Sequence, residues 1–272
     1  MENLKDEIRQ FCSTHHLKLN KDLGQHFLID GEVLRAIVAA AHIGKNDHVV
    51  EIGPGIGVLT RELLKHAGTI TAIELDERLI PLLKEFTATM PDTAFSILNS
   101  NVLSTPLPTT PYKIVANIPY HITSPLLRHA FLESRPPHAM TLLIQREVAE
   151  KICDQHDRGM LTILVQLFGQ PHIVRHVPAS AFLPPPKVES SVLHIACFDE
   201  PKASPAVIKQ IFRLAKVGFG QKRKMLRNSI GGIPQGMERM QQTGIDPTGR
   251  PQELTIEKWM DLAKAFCEEQ EP

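Results

Sequence analysis

The stretch His48-Val49-Val50-Glu51-Ile52-Gly53-Pro54-Gly55-Ile56-Gly57 leads from a short β-branched strand pattern into a turn with three glycines. A helical spacing of apolar residues follows as far as Leu64, so the turn joins a strand to a helix. Glycine allows positive φ and lets the backbone approach a ligand closely. The stretch therefore predicts an α/β sheet with a nucleotide-like cofactor at this turn, beside Glu51, Gly53 and Gly55.

Outward from this stretch, strand and helix patterns alternate. Four further strand patterns separated by helical ones lie at residues 69–75, 94–98, 112–116 and 139–145. Such alternation predicts a parallel sheet covered on both faces. Two strand-like stretches in succession, 172–177 and 188–198, predict an antiparallel pair at the sheet edge. We therefore predict a Rossmann-like domain with a mostly parallel seven-stranded sheet in residues 1–200, and a small all-α domain in residues 201–272.

The composition is that of a soluble globular protein, with 42% hydrophobic and 22% charged residues. No stretch approaches the roughly 18 consecutive apolar residues of a membrane span. The charged start is unlike a signal peptide, so we expect a cytoplasmic protein without membrane association. The four cysteines are far apart, which argues against a zinc site and a disulfide framework, and we expect no metal. Nothing indicates a symmetric interface, so we expect a monomer.

The glycine turn narrows the class of cofactor. A G-x-G-x-x-G fingerprint counted from Gly53 needs glycine at position 58, which is Val58, and no Gly-Lys-Ser/Thr follows. These absences argue against nicotinamide, flavin and P-loop nucleotides. Glu74 ends the second strand pattern, where an acid takes ribose hydroxyls. Since Glu51 offsets positive charge, S-adenosylmethionine, with its sulfonium and ammonium groups, fits best.

The tetrapeptide Asn117-Ile118-Pro119-Tyr120 follows the fourth strand pattern and precedes a helical one. It therefore lies at the carboxyl edge of the sheet, where ligands bind. The Asn117 amide oxygen and a carbonyl of Ile118 or Pro119 can accept both hydrogens of an exocyclic amine, and Tyr120 can stack on the base that bears it. The tetrapeptide predicts an adenine-sized amine site. An ordinary strand-to-helix turn is the alternative for this tetrapeptide considered alone.

Basic residues concentrate between residues 201 and 237, where there is no Asp or Glu. Within the first helix pattern of this region, Lys209, Arg213 and Lys216 share one face. A solvated helix face is the simpler explanation, but the absence of acids favours a surface that faces a polyanion. The predicted RNA-binding residues are Lys209, Arg213, Lys216, Lys222, Arg223, Lys224 and Arg227.

Together with Leu23-Gly24-Gln25-His26-Phe27-Leu28 and the segment 182–191, these motifs resemble the rRNA adenine N6-methyltransferase family over nearly the whole chain. Stretches 220–229 and 250–255 are similar to the branch that dimethylates two adjacent adenosines near the 3′ end of small-subunit rRNA. The sister branch, which methylates large-subunit rRNA and confers macrolide resistance, is one alternative. An assembly factor with a vestigial cofactor pocket is another.

The resemblance implies a class I methyltransferase fold whose arm, residues 1–30, closes over the cofactor. It assigns the following residues to the cofactor site: Gln25, His26, Leu28, Glu51, Gly53, Gly55, Glu74, Asn101 and Asn117. It also implies that Tyr120 stacks on the target base and that Phe182 covers the other face. Without the resemblance, a core aromatic beside a Pro-rich turn is the alternative for Phe182. The family usually has Asp at the position of Asn101, so we expect cofactor binding weaker by roughly 1 kcal/mol.

Other methyltransferase classes fit less well. DNA adenine methyltransferases typically have proline at the position of Ile118, and a protein or small-molecule methyltransferase does not require basic helices after residue 200.

Overall fold

The chain separates into two compact units, residues 1–149 with 171–197 and residues 150–170 with 198–272. The computed structural model describes residues 4–17, 25–90, 94–220 and 224–267. The predicted boundary near residue 200 differs from this division, because the structure groups residues 150–170 with the carboxyl-terminal unit.

A seven-stranded sheet forms the centre of the first unit. The strands of the chain are β1 (Phe27–Leu28), β2 (His48–Ile52), β3 (Thr69–Glu74), β4 (Ala94–Asn99), β5 (Lys113–Asn117), β6 (Ala139–Gln145), β7 (Gly169–Val177), β8 (Phe182–Leu183) and β9 (Ser190–Cys197). The large sheet has the order β4-β3-β2-β5-β6-β9-β7. In this order the five neighbouring strands β4, β3, β2, β5 and β6 pair in parallel, and β9 runs antiparallel to β6. The mostly parallel seven-stranded sheet is therefore confirmed.

The central strands are apolar on both faces. Val49 and Val50 in β2, and Ile114 and Val115 in β5, are fully buried. Branched side chains of this kind suit a pleated surface, and a parallel sheet is covered by helices on both sides. This packing fixes β2, β3 and β5 side by side, so that their carboxyl ends form one edge.

Ten α-helices occur among the described residues. They are α1 (Leu4–Thr14), α2 (Gly31–Ala40), α3 (Val58–Leu63), α4 (Leu79–Thr87), α5 (Thr123–Arg128), α6 (Arg146–Cys153), α7 (Met160–Phe168), α8 (Pro205–Phe219), α9 (Gly236–Gln242) and α10 (Ile256–Cys267). None of these is long and apolar enough to cross a membrane.

The amino-terminal segment is attached to the sheet domain at two places. Arg61 of α3 makes an ion pair with Glu7 of α1, and Phe11 packs edge-on against Phe86 of α4 with ring centroids 5.0 Å apart. Farther along, β1 pairs antiparallel with β8. Helix α1 is thus held on α3 and α4, and β1 is held on β8. Gln25 and His26 directly precede β1, and the strand pairing places them at the carboxyl edge of the sheet.

The second unit is helical in its described residues. Helix α7 packs against α8 and α10, and Ile163, Leu164 and Leu167 of α7 are buried. This apolar face explains why residues 150–170 belong to the carboxyl-terminal unit. Helix α8 begins at the cap Ser204 and buries one face, including Ile208.

Candidate active site

A cleft opens at the carboxyl edge of strands β2, β3 and β5 in the first unit. It encloses about 1110 Å³ of empty space, part of it open to solvent. All nine residues predicted for the cofactor site line this cleft: Gln25, His26, Leu28, Glu51, Gly53, Gly55, Glu74, Asn101 and Asn117. Ile118, Pro119 and Tyr120 line it too. The fold thus brings together residues that lie up to 95 positions apart in the chain, from Gln25 to Tyr120.

The glycine turn after β2 forms one wall of the cleft. Gly53, Gly55 and Gly57 have φ values of +66°, +62° and +98°, which residues with a side chain rarely adopt. A Cβ added at Gly55 would lie 2.9 Å from Cε1 of Phe27, whereas one added at Gly53 would meet no atom nearer than 3.8 Å. Gly55 therefore allows β1 to pack on the turn, and Gly53 leaves space for a ligand.

Glu51 is a buried carboxyl group at the base of the cleft. Glu51 is the penultimate residue of β2, just before the glycine turn, and it is 1% exposed. The Oε2 atom has no hydrogen-bond partner among the described residues. Burial is the main reason that the pKa of Glu51 is raised to about 8, and repulsion from Glu74 adds to the increase. The nearby Thr60 lowers the pKa and offsets part of the increase. A buried carboxyl oxygen without a partner is suited to a cationic or hydrogen-bonding ligand.

Glu74 and Asp76 connect three segments around the cleft. Glu74 Oε2 accepts a hydrogen bond from the Gly55 amide at 3.0 Å, and Oε1 accepts one from the Asp76 amide at 2.9 Å. Gln25 Nε2 donates to Asp76 at 2.8 Å, so the amino-terminal segment is fastened to the end of β3. Burial raises the pKa of Glu74, whereas hydrogen bonds from Arg78 above all lower the pKa of Asp76 to about 2.

Asn101 lies where the chain leaves β4, and it is exposed. Its Oδ1 accepts a hydrogen bond from the Leu103 amide at 3.0 Å, which caps a short 3₁₀ turn. The Thr105 hydroxyl donates to the Asn101 carbonyl at 2.8 Å. The capping bond uses one acceptor position of Oδ1 and holds the side chain at the rim of the cleft, with the amide nitrogen available as a donor.

Asn117 lines the cleft, and one of the two hydrogens of its side-chain amide is used within the protein. Its Nδ2 donates to the His26 carbonyl at 3.0 Å, which leaves Oδ1 without a partner among the described residues. The Pro119 carbonyl accepts from the Ile122 amide at 3.1 Å, whereas no hydrogen bond to the Ile118 carbonyl occurs in the described part of the chain. Of the two carbonyls predicted to act with Asn117, that of Ile118 is therefore the better placed.

Tyr120 and His26 form a pair of facing rings. Their centroids are 6.2 Å apart and their planes differ by 19°. The Tyr120 hydroxyl lies 2.6 Å from Ser190 Oγ, and His26 Nδ1 lies 2.8 Å from the Pro184 carbonyl. Burial raises the pKa of Tyr120, so it is a neutral phenol at physiological pH.

Phe182 lies in the core, as in the alternative interpretation of this residue as a core aromatic. It is 2% exposed, packs into the apolar core of the first unit and does not line the cleft. The physical reason is the pairing of β8 with β1, which sets Phe182 opposite Leu28. The ring that faces Tyr120 is that of His26. The sequence motif contains His26, but it predicted this residue only for the cofactor site.

The predicted RNA-binding residues belong to the second unit. Those in the described part are exposed, namely Lys209, Arg213, Lys216, Lys224 and Arg227. Lys222 and Arg223 lie outside the described residues. Arg227 lies near Asp246. Hydrogen bonds from Thr248 are the main cause of the lowered pKa of Asp246, and the positive charge of Arg227 lowers that pKa further. Within the described ranges, no cluster of His, Cys, Asp or Glu could hold a metal ion.

Comparison with known proteins yields one family and several relatives. The model of a family described as ribosomal RNA adenine dimethylase matches residues 16–268. The chain is 39% identical to a ribosomal RNA small subunit methyltransferase A from Dehalococcoides mccartyi strain BAV1, over 97% of this chain and 94% of the relative. It is 37% identical to the protein of the same name from Clostridium botulinum strain Langeland, over 94% and 96% of the two chains.

Two solved structures are similar over most of the chain. The 23S rRNA methyltransferase ErmE is 26% identical with a TM-score of 0.73, covering 89% of this chain and 99% of that one. A dimethyladenosine transferase from Plasmodium falciparum is 25% identical with a TM-score of 0.76, covering 89% and 98%.

Proposed function

The chain belongs to the ribosomal RNA adenine dimethylase family, and from that premise we propose that it transfers methyl groups from S-adenosylmethionine to N6 of adenosine in small-subunit rRNA. Two adjacent adenosines near the 3′ end are the targets, and each is dimethylated. The observation that carries this proposal is the geometry of Asn117, whose amide nitrogen is tied to the His26 carbonyl and whose oxygen is left to accept beside the Ile118 carbonyl.

The residues of the cleft fit S-adenosylmethionine. Gly53 leaves room where the backbone turns, and the unpartnered oxygen of Glu51 lies in the same wall. Glu74 keeps acceptor capacity for ribose hydroxyls after bonding the Gly55 and Asp76 amides. Gln25, held to Asp76, closes the arm over this side of the cleft. Together these groups match the sulfonium, ammonium and ribose of the cofactor.

When bound, the cofactor supplies an electrophilic methyl group. The N6 lone pair of adenine is delocalised into the ring and is a poor nucleophile. Acceptance of its two hydrogens by Asn117 Oδ1 and the Ile118 carbonyl favours a pyramidal nitrogen, whose lone pair is then directed at the methyl group. Tyr120, fixed by Ser190, stacks on the base. The methylated ammonium that would result is acidic enough to lose its proton to water, so no strong base is required. The chain therefore acts mainly by positioning.

The exposed face of α8 in the second unit supplies the proposed contact with rRNA. Lys209, Arg213 and Lys216 are exposed and make no ion pair with any residue in the described ranges. Such a row of cations suits the phosphate backbone. The protein acts as a monomer, and its substrate is the small ribosomal subunit or a precursor of it.

The large-subunit alternative is less well supported. The curated relatives that match at 35–40% identity carry the small-subunit name, whereas the 23S rRNA methyltransferase is 26% identical. The geometry of the cleft serves either branch, so the choice of RNA is the point to test.

The test uses purified small and large ribosomal subunits that lack adenine methylation, incubated with the protein and methyl-labelled S-adenosylmethionine. We expect N6,N6-dimethyladenosine in nucleoside digests of the small subunit. Label confined to the large subunit would favour the sister branch. Calorimetry with S-adenosylmethionine is the companion measurement, because absence of both label and binding would favour an assembly factor.

A further inference from the structure

We propose that Glu7 and Arg61 are positioning residues for the cofactor: their ion pair holds helix α1 on the sheet domain and thereby keeps Gln25 and His26 at the cleft. The inference rests on the proposed function, since it concerns how tightly S-adenosylmethionine is held. Neither Glu7 nor Arg61 lines the cleft, so each acts through the segment that does.

The ion pair joins its two partners at two points. Arg61 Nη2 donates to Glu7 Oε2 at 2.9 Å, and Arg61 Nη1 donates to Glu7 Oε1. The Arg61 side chain is 19% exposed, and its Cζ atom lies 4.4 Å from the centroid of the Phe86 ring. A guanidinium that is held at two points and shielded by a ring binds its carboxylate more strongly than an exposed one does. The pair is therefore suited to anchor a helix.

Helix α1 and the residue that follows it contact the domain along one face. Glu7, Phe11 and His15 follow one another at intervals of four residues, the spacing of a single helix face. Phe11 packs against Phe86 of α4, and His15 Nε2 lies 3.1 Å from Glu85 Oε1 of the same helix. With the ion pair to α3, this face is fixed on two helices.

The helices that hold α1 also form part of the cleft. Val58 and Leu59 of α3 and Leu79 of α4 line it. The Arg61 amide donates to the Gly57 carbonyl at 2.9 Å, so Arg61 is bonded directly to the glycine turn. The anchor of α1 and the wall of the cofactor site are thus parts of the same two helices.

The chain is fastened again beside the cleft after α1. Gln25 Nε2 donates to Asp76 at 2.8 Å, and Asn117 Nδ2 donates to the His26 carbonyl at 3.0 Å. Residues 18–24, a short connection, join the end of the α1 segment to Gln25. Because a short connection raises the effective concentration of what it tethers, release of α1 lowers the effective concentration of Gln25 and His26 at the cleft. Docking of α1 and binding of the cofactor are therefore coupled.

The test compares Glu7→Gln with the matched control Asp6→Asn. Both acids lie in the first turn of α1, so both substitutions remove one charge that interacts with the helix dipole, but Asp6 is exposed and Glu7 is paired with Arg61. Calorimetry with S-adenosylhomocysteine should show binding weakened at least about fivefold in Glu7→Gln, as for typical coupling between two sites, and changed less than about twofold in Asp6→Asn. Equal affinities of the two variants would overturn the inference.

Charge reversal distinguishes the pairing from a general loss of structure. Glu7→Arg and Arg61→Glu should each weaken S-adenosylhomocysteine binding, and the double variant should recover part of the loss. A double variant that binds more weakly than either single variant would contradict the pairing. The single-turnover rate of Glu7→Gln at saturating S-adenosylmethionine should change less than about twofold, because the reacting groups are untouched. A lower saturated rate with unchanged affinity would contradict a role in holding the cofactor.

Hydrogen exchange in the wild-type protein measures the same coupling from the other end. Coupling between two sites is reciprocal, so S-adenosylhomocysteine should slow the exchange of the α1 amides. Exchange of α1 that the ligand leaves unchanged would overturn the inference even if the protein binds the ligand tightly. Wild-type protein that binds no S-adenosylhomocysteine would instead refute the proposed function, and the inference with it.

Discussion

Replacement of Glu51 by glutamine should change how the stability of the cofactor-free protein depends on pH. Glu51 is almost completely buried, and its pKa is raised from 4.5 to about 8, chiefly by burial. The folded state therefore holds a proton that the unfolded chain releases above pH 4.5. Stability from this group is fully present below pH 4.5, declines as pH rises, and is lost once pH exceeds about 8.

The size of the effect follows from these two pKa values. Between about pH 5.5 and 8.5, the linkage relation gives a loss of about 3 kcal/mol from this single group. A glutamine side chain does not titrate, so the Glu51→Gln variant avoids that loss while keeping the size and shape of the side chain. All other titrating groups are common to the two proteins and cancel in the comparison, apart from the neighbouring Glu74.

The assay is urea denaturation of cofactor-free wild type and Glu51→Gln at about pH 5.5 and pH 8.5. The variant should gain about 3 kcal/mol relative to wild type on going from the lower pH to the higher one. A difference in unfolding free energy that is the same at both pH values would refute the reasoning, because it would mean that Glu51 is already ionised in the folded protein. Calorimetry adds a check: binding of S-adenosylmethionine at about pH 7 should release about 0.9 proton from Glu51 in wild type, and the variant should lack this release.

Three further changes have defined outcomes. Gly55→Ala should destabilise the protein by about 1–2 kcal/mol more than Gly53→Ala in thermal unfolding, because both share the positive φ but only the first brings Cβ within 2.9 Å of Phe27; equal effects would contradict the packing argument. Asn101→Asp should tighten S-adenosylmethionine binding by about 1 kcal/mol, roughly fivefold in calorimetry, and weaker binding would contradict the role of its charge. Reversing the three α8 charges should flatten the salt dependence of RNA binding, by about 0.7–0.9 in slope for each phosphate that is no longer neutralised, and an unchanged slope would count against this surface. The residues are Lys209, Arg213 and Lys216.

The sheet and most of the cleft could be predicted because local pattern determines them. Branched apolar runs such as 48–52 and 113–117 form buried strands, and parallel strands place their carboxyl ends at one edge. Once the order of strands was set, Glu51, Glu74 and Asn117 had to meet there. The glycine turn identified the same edge through its backbone requirements, which are visible in the sequence.

Three features could not be predicted, since they depend on contacts between distant segments. The direction of Phe182 follows from its pairing with Leu28 across 154 positions, and a shift of one residue would turn the ring to the other face. The pairing of His26 with Tyr120 depends on the Pro184 carbonyl in the same way. Residues 150–170 joined the second unit because the apolar face of α7 packs on α8 and α10, which helical periodicity alone does not reveal.

The most direct test of the account is methyl transfer by Asn117→Ala on unmethylated small subunits, measured under single-turnover conditions together with S-adenosylmethionine affinity. Loss of a positioned hydrogen-bonding group at a reacting centre costs about 100- to 1000-fold in rate. The account predicts a fall of this size with cofactor affinity changed by less than about tenfold. A variant that binds the cofactor and forms N6,N6-dimethyladenosine at the wild-type rate would contradict it.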